Sequence, residues 1–204
     1  MNVDTAIVTR TAVRTFDPEH VLDAADQRRL LELARRAPSA WNVQQWRFVV
    51  IDDTALRQSL CTAAMGQTQV IDCSLFVAIV VDLDAWKRNP ARYFDAFPDD
   101  VADLYADKVR SFYEGRDWLA RDDAMRSCGL AAQTLMLAST AMGLASCPMD
   151  LFDEARVSQL LNLPDAHVVA MFVAIGKAVV DPDLPRMGRL PFDEVVVRNR
   201  FPAG

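Results

Sequence analysis

Apolar residues recur at helical spacing in some parts of the chain and form short continuous runs in others. The helical spacing predicts helices over 3–9, 24–36, 54–64, 101–115, 121–143 and 153–161. The continuous runs predict buried strands over 46–52, 75–82 and 168–175. Strands separated by long helical stretches indicate an α+β fold, with a small mixed sheet flanked by helices.

The longest apolar stretch, residues 128–147, is long enough to span a bilayer but is not composed like a membrane helix. It follows Arg126 closely and contains Gln133, several Ser and Thr residues, and many Ala and Gly residues. Such a mixture of small and polar side chains is typical of a central helix buried on most sides, in the core or at a subunit interface.

The chain has 204 residues, of which 51% are apolar, and this size suits a single domain over residues 1–204. Its formal net charge of −6 argues against a nucleic-acid backbone or an anionic membrane surface as the main partner. Any anion that the protein binds must therefore be held by a local basic pocket.

The four cysteines, at positions 61, 73, 128 and 147, form no C-x-x-C pair, and the two histidines are not at ligand spacing. We therefore predict no metal site. The N-terminus lacks the basic stretch and apolar run of a signal peptide. Four reduced thiols then fit a cytoplasmic protein.

Residues 37–46 carry small polar side chains between a helical segment and a buried strand. Ser39, Asn42 and Gln44 lie at the entrance of that strand, where polar groups commonly meet a ligand. This pattern indicates a ligand-binding loop. The alternative is that these residues only close turns by bonding to their own backbone.

Two pairs of arginines are candidates for binding an anion. Arg10 and Arg14 are four residues apart, so their side chains lie on one side of either a helix or a strand, as a phosphate site requires. Arg186 and Arg189 flank Gly188, which permits close approach of the backbone to an anion. The alternative is that all four are surface arginines, paired with nearby acids or solvated.

An aromatic-rich insert and a proline-rich tail complete the chain. Aromatic residues at helical spacing within residues 83–123 more often pack than recognise a ligand. The tail, residues 181–204, contains four prolines around a strand pattern at 192–197. An extended apolar tail needs a surface to cover, either its own sheet or another subunit.

Four segments together resemble the FMN-dependent nitroreductase family: Arg10-Thr-Ala-Val-Arg14, residues 37–46, Gly143-Leu-Ala-Ser-Cys-Pro-Met-Asp150 and Arg189-Leu-Pro191. The resemblance extends over nearly the whole chain. It implies a nitroreductase-like fold, an intertwined homodimer with active sites at the interface, FMN as cofactor, and NADPH or NADH as donor. It also implies that residues 83–123 form a variable substrate lid and that residues 181–204 wrap the partner subunit.

The resemblance also implies the site residues. Flavin N5 carries the chemistry, so no side chain is expected to be catalytic. The expected cofactor-binding residues are Arg10, Thr11, Ala12, Arg14, Pro38, Ser39, Asn42, Gln44, Gln69, Pro148, Met149, Asp150, Arg186 and Arg189. The expected substrate-binding residues are Trp41, Phe112 and Trp118. The chain departs from the family at Ala12, where serine is usual, at Gln69, where lysine is usual, and at Leu151, where glycine is usual.

The function that follows is an FMN-dependent NAD(P)H oxidoreductase that passes hydride through the flavin to a nitroaromatic, a quinone or a similar flat acceptor. One alternative is a specialised flavoenzyme of the same fold: a semialdehyde or enone reductase, a dehalogenase or an oxidase. A second is a non-catalytic flavin-binding protein. A third is a helical scaffold without a cofactor.

Overall fold

A computed structural model of the protein describes residues 1–179 and 187–201, and a four-stranded sheet lies at its centre. The strands, in chain order, are β1 (Trp46–Val50), β2 (Leu75–Asp82), β3 (Ala145–Met149) and β4 (His167–Gly176). Their order in the sheet is β1-β2-β4-β3, so β1 and β3 are the edge strands. All three pairings are antiparallel, and one isolated parallel bridge joins Ala12 to Ser146 beside β3.

Helices cover both faces of the sheet. The α-helices of the described residues are α1 (Val3–Thr9), α2 (Ala24–Ala34), α3 (Thr54–Ala63), α4 (Gln69–Asp72), α5 (Asp99–Tyr113), α6 (Asp117–Ala141), α7 (Glu154–Leu160) and α8 (Phe192–Val195). Four of them begin after a side chain that accepts a hydrogen bond from a backbone N–H of the first turn; these residues are Asn2, Asp23, Asp53 and Asp153. The polar residue before each apolar pattern therefore sets where the helix starts.

Strand β2 is buried at every position because it has a neighbouring strand on each side and helices on both faces. Successive side chains of a strand point to opposite faces. Phe76 and Ala78 therefore join one core cluster, which α3 and α7 complete, while Leu75 and Val77 join the other, which α2 and α6 complete. The seven-residue apolar run Leu75–Val81 reflects this burial on two sides.

Helix α6 lies along the sheet and buries Cys128, Ala131 and Leu135 against it. Leu130 on another side of the helix is exposed. Within the described ranges, no helix is both long enough and apolar enough to cross a membrane.

The insert, residues 83–123, builds a smaller core of its own. Its buried side chains include Trp86, Tyr93 and Tyr113, which pack together with Val43 of the loop before β1. The Tyr113 hydroxyl donates to Asp123 Oδ2 at 3.1 Å. Burial is the larger cause, and the negative charge of Asp123 the smaller, of a raised pKa of Tyr113. The insert is therefore packed against the loop that carries the predicted ligand groups.

The predicted helices and strands are confirmed, with ends that differ by a few residues. The prediction missed β3 and the four-residue α4. β3 is short and contains Pro148, which cannot donate a backbone hydrogen bond and is tolerated because β3 lies at an edge. The prediction of a strand at 192–197 was wrong for a single chain. Phe192–Val195 form one exposed helical turn after Pro191, because the segment pairs with none of the four strands of the sheet.

Candidate functional site

The segment after α1 lies along the β3 edge of the sheet. The Val13 N–H donates to the Ser146 carbonyl at 3.0 Å, next to the parallel bridge between Ala12 and Ser146. Arg10 is the C-cap residue of α1 and is half-buried, whereas Arg14 is exposed. This pairing fixes the backbone of both arginines beside β3.

Arg10, Arg14 and Gln69 converge on Cys147. Burial raises the pKa of the Cys147 thiol, while a hydrogen bond from Gln69 and the charges of Arg14 and Arg10 oppose that rise. Gln69 Nε2 lies 4.0 Å from Cys147 Sγ, and Gln69 is 6% exposed. Two arginines and a buried amide therefore lie near one end of β3, and this set of donors suits a ligand with a phosphate and carbonyl oxygens.

The predicted backbone contacts lie at the end of the same strand. Pro148 is half-buried and Met149 is buried, both within β3, whereas Asp150 directly follows the strand and is exposed. Gln67 Nε2 donates to the Leu151 carbonyl at 3.0 Å, which ties the turn after α3 to the segment after β3.

Two further predicted contacts, Thr11 and Ala12, lie between the arginines. Thr11 is half-buried, and Ala12 is exposed and offers only its backbone to a ligand. The hydroxyl that the family usually carries at position 12 is therefore absent, although the preceding residue, Thr11, has one.

The loop before β1 has an unusual backbone conformation. Trp41, Asn42 and Gln44 have φ angles of 54°, 56° and 50°, a left-handed region that residues other than glycine seldom adopt. Ser39 Oγ accepts from the Gln44 N–H at 3.0 Å, and Asn42 Nδ2 donates to the Tyr93 carbonyl at 2.8 Å. Ser39 thus closes a turn within the loop, whereas Asn42 fastens the loop to the insert, and a strained loop of this kind is common at ligand sites.

Gln44 lines a cleft of about 1010 Å³ between α2, β1 and the insert. Pro38, at the start of the loop, is exposed. Four arginines that were not predicted as site residues line the cleft: Arg28, Arg35, Arg47 and Arg92. The seven-residue spacing of the first two on one side of a helix was the signal available in the sequence.

The two groups of predicted cofactor contacts lie far apart in one chain. Trp46 pairs with Val81, which pairs with Val168, whereas Cys147 pairs with Ala174. Three strand spacings across the sheet and six residues along β4 place Trp46 and Cys147 about 24 Å apart. The structure therefore brings Arg10, Arg14 and Gln69 together but does not bring Ser39, Asn42 and Gln44 to them.

The predicted substrate contacts divide in a similar way. The rings of Trp41 and Phe112 lie 5.4 Å apart, so the loop and the insert meet there. Trp118 is 66% exposed. The structure brings the first two together and leaves the third on the surface.

The described part of the tail is exposed. Arg189 Nη1 donates to the carbonyls of Gly188 and Met187 at 3.0 and 3.4 Å, close to its own position in the chain. Arg186 lies outside the described residues. Large apolar side chains of the tail, Leu190, Phe192 and Phe201 among them, are exposed as well.

All four cysteines are buried and free of disulfides. Burial raises the pKa of Cys73 from 9.0 to about 11 and that of Cys128 from 9.0 to about 12. Among residues 1–179 and 187–201, no three His, Cys, Asp or Glu side chains are grouped so that they could hold a metal ion.

Comparisons with known proteins agree with the fold and cover nearly the whole chain. Protein DrgA of Synechocystis sp. is 41% identical over 200 residues, which are 96% of this chain and 95% of that protein. A Thermus thermophilus protein named NADH dehydrogenase is 30% identical over 204 residues, 97% of this chain and 96% of that one. An Exiguobacterium sibiricum protein solved in complex with FMN is 27% identical, with a TM-score of 0.87 over 97% of both chains. The model of the Nitroreductase family matches residues 7–177, and the chain therefore belongs to the nitroreductase family.

Proposed function

We propose that the protein is an FMN-dependent NAD(P)H oxidoreductase that reduces flat acceptors such as nitroaromatics and quinones. The observation that carries this proposal is the placement of Arg10–Arg14 beside β3, where the Gln69 Nε2 atom lies 4.0 Å from Cys147 Sγ. The FMN complex of a relative with the same fold supports the choice of cofactor. The name of the Thermus thermophilus relative supports a nicotinamide nucleotide as the donor.

The donors at this edge fit FMN. Arg10 holds the phosphate, because a half-buried guanidinium keeps more of its charge interaction than an exposed one. Arg14 reaches the pyrimidine edge of the ring, and Thr11 offers a hydroxyl in place of the one missing at Ala12. Pro148, Met149 and Asp150 form the wall beside the ring and supply backbone groups.

Bound FMN would supply the hydride-transfer chemistry between the nicotinamide nucleotide and the acceptor. The protein's part is to orient the ring and stabilise the charge that develops on it. Arg14 and the Gln69 amide both donate toward that charge. Because Gln69 is neutral, it stabilises a reduced anionic ring less than the family's usual lysine would.

The complete site is formed between two subunits of a homodimer. In one chain the loop lies before the β1 edge of the sheet and the arginine cluster lies beside the β3 edge, with Trp46 and Cys147 about 24 Å apart. Ser39, Asn42 and Gln44 therefore act on the cofactor bound at the arginines of the partner, with Pro38 at the start of their loop. The exposed apolar tail supports this arrangement, because it needs a second surface to cover. In this arrangement the tail carries Arg189 toward the phosphate.

Trp41 and Phe112 form one wall of the acceptor pocket, since their rings are in contact where the loop meets the insert. Trp118 lies on the exposed part of the insert and closes over the acceptor. The four buried free thiols support a cytoplasmic location.

Steady-state kinetics test the reaction. With NADH or NADPH as donor and a nitroaromatic or quinone as acceptor, hydride transfer in two separate half-reactions gives parallel lines in double-reciprocal plots. Intersecting lines, or the absence of turnover by protein that retains FMN, would contradict the proposed reaction.

Subunit complementation tests the shared site. Arg10→Ala homodimers and Asn42→Ala homodimers should each bind FMN weakly. If each site takes Arg10 from one subunit and Asn42 from the other, the heterodimer of these two variants contains one intact site. Its high-affinity FMN content should then reach about one FMN per two chains. A heterodimer that binds FMN no better than either homodimer would place both residues in the same subunit's site.

A further inference from the structure

One buried carboxylate connects the loop, the insert and the sheet. Asp82 ends β2, and its side chain is 2% exposed. Its Oδ2 accepts from Arg47 Nη2 at 2.9 Å and from the guanidinium of Arg88, and it lies 3.7 Å from His167 Nε2. A carboxylate this deeply buried requires such partners, because an unpaired buried charge is strongly unfavourable.

Arg47 connects that carboxylate to the strained loop. Its Nη1 donates to the Gln44 carbonyl at 3.0 Å and to the Trp46 carbonyl at 2.8 Å. The backbone N–H of Asp82 donates to the Gln45 carbonyl at 2.9 Å. Three successive carbonyls, at the end of the loop and the start of β1, are therefore held by Arg47 and Asp82.

The loop depends on such contacts because its backbone conformation is not favoured locally. Trp41, Asn42 and Gln44 all have positive φ. Residues other than glycine keep a backbone with positive φ only where the surrounding structure stabilises it. Arg47 binds the carbonyl of Gln44, whose side chain lines the cleft, so the contact acts where the strain and the ligand group coincide.

Arg88 extends the connection to the insert. It lies near the start of residues 83–123 and donates to the same oxygen of Asp82 as Arg47. The position of the loop and the position of the insert's first turn are thus fixed by one anion. Trp41 and Phe112 make a second contact between these two parts.

We infer that Asp82 and Arg47 are positioning residues of the active site, which hold residues 41–46 so that Asn42 and Gln44 face the cofactor. Arg88 positions the insert against the same carboxylate and so affects the acceptor. This inference rests on the proposed function for its effect on FMN. Its effect on the loop does not depend on that function.

The test compares Arg47→Met, which keeps an unbranched chain of similar length, with Arg47→Lys, which keeps the charge but not the planar group with several donors. Arg126→Met is the matched control, because Arg126 is an exposed arginine paired with Asp122 and Asp123. Amide hydrogen exchange is measured over the whole chain of each variant. FMN affinity and the acceptor KM are measured on the same proteins.

Arg47→Met should raise exchange at residues 41–46 at least tenfold, while exchange in β4 stays near that of the unchanged protein. It should also weaken FMN binding about tenfold. Arg47→Lys should give a smaller change in both quantities, and Arg126→Met should stay within about twofold of the unchanged protein. Arg88→Met should raise the acceptor KM more than it weakens FMN binding.

A double-mutant cycle separates positioning from general destabilisation. If Arg47 acts through Gln44, then Arg47→Met should weaken FMN binding much less in a Gln44→Ala background than in the unchanged protein. Equal effects in both backgrounds would overturn the inference, as would unchanged exchange at residues 41–46. If Arg47→Met does not fold, Arg47→Lys decides on the same exchange criterion. If Arg47→Met raises exchange at residues 41–46 but the unchanged protein binds no FMN, the proposed function is contradicted and the loop contact is still established.

Discussion

Replacing Arg10 with alanine should weaken FMN binding through the loss of its contact with the phosphate. Arg10 is half-buried at the end of α1, where the backbone is fixed beside β3. A hydrogen bond to a charged group contributes about 1.5–3 kcal/mol. This corresponds to an increase in Kd of about tenfold to a hundredfold.

Arg14 should contribute less than Arg10 to the free energy of FMN binding. It is exposed, and exposed charge pairs are worth roughly 0–1 kcal/mol and are screened by salt. Arg14→Ala should therefore weaken FMN binding by up to about fivefold at low salt. The effect should shrink at high salt, whereas most of the effect of Arg10→Ala should remain.

Titration of the apoprotein with FMN and with riboflavin separates the two possible roles of Arg10. Riboflavin has the same ring but no phosphate, so Arg10→Ala should leave riboflavin affinity unchanged. Arg29→Ala is the control, because Arg29 is an exposed arginine of α2. Equal losses for both ligands would mean that Arg10 supports the fold and not the phosphate. Unchanged FMN affinity would remove Arg10 from the site.

Three further predictions concern the core, the thiols and the insert. Phe172→Ala should lower the free energy of unfolding by about 3–5 kcal/mol in urea denaturation, because the buried ring packs 5.0 Å from Phe76 and 4.4 Å from Phe152; a loss below about 1 kcal/mol would contradict this packing. Burial raises the pKa of Cys73 from 9.0 to about 11, so the unfolded chain releases this proton first. The free energy of unfolding should therefore fall as the pH rises from 9.0 to about 11, by up to about 1.4 kcal/mol per pH unit. Cys73→Ala should reduce that slope, and an unchanged slope would contradict the reasoning. Phe112→Leu should raise the acceptor KM more than the Kd of FMN, and the reverse order would give the insert a structural role.

Much of the fold could be predicted because burial leaves a clear pattern in the sequence. All eight residues of β2 are buried, and the strand was predicted with both ends correct. β3 was missed because an edge strand of five residues that contains Pro148 has no such pattern. The segment 192–197 has the residues of a strand but finds no strand to pair with in the described part of its own chain, and local preference leaves it as one helical turn.

The candidate site could be predicted only in part from the sequence. The four-residue spacing of Arg10 and Arg14 predicted side chains on one side, and both charges act on Cys147. Positive φ at Trp41 and Gln44 could not be predicted, because these residue types rarely adopt it. The contact between Arg47 and Asp82 was also hidden, because 35 positions separate the two residues in the chain. The roles of the individual site residues stay predictions.

The central claim is that this chain binds FMN and passes electrons from a nicotinamide nucleotide to it. The most direct measurement is an anaerobic visible spectrum of the purified protein with FMN, taken before and after NADH and then NADPH. The account predicts flavin absorption bands that remain with the protein after free FMN is removed and that bleach with at least one nucleotide. Bands that persist after both nucleotides, or a protein that retains no FMN, would contradict it.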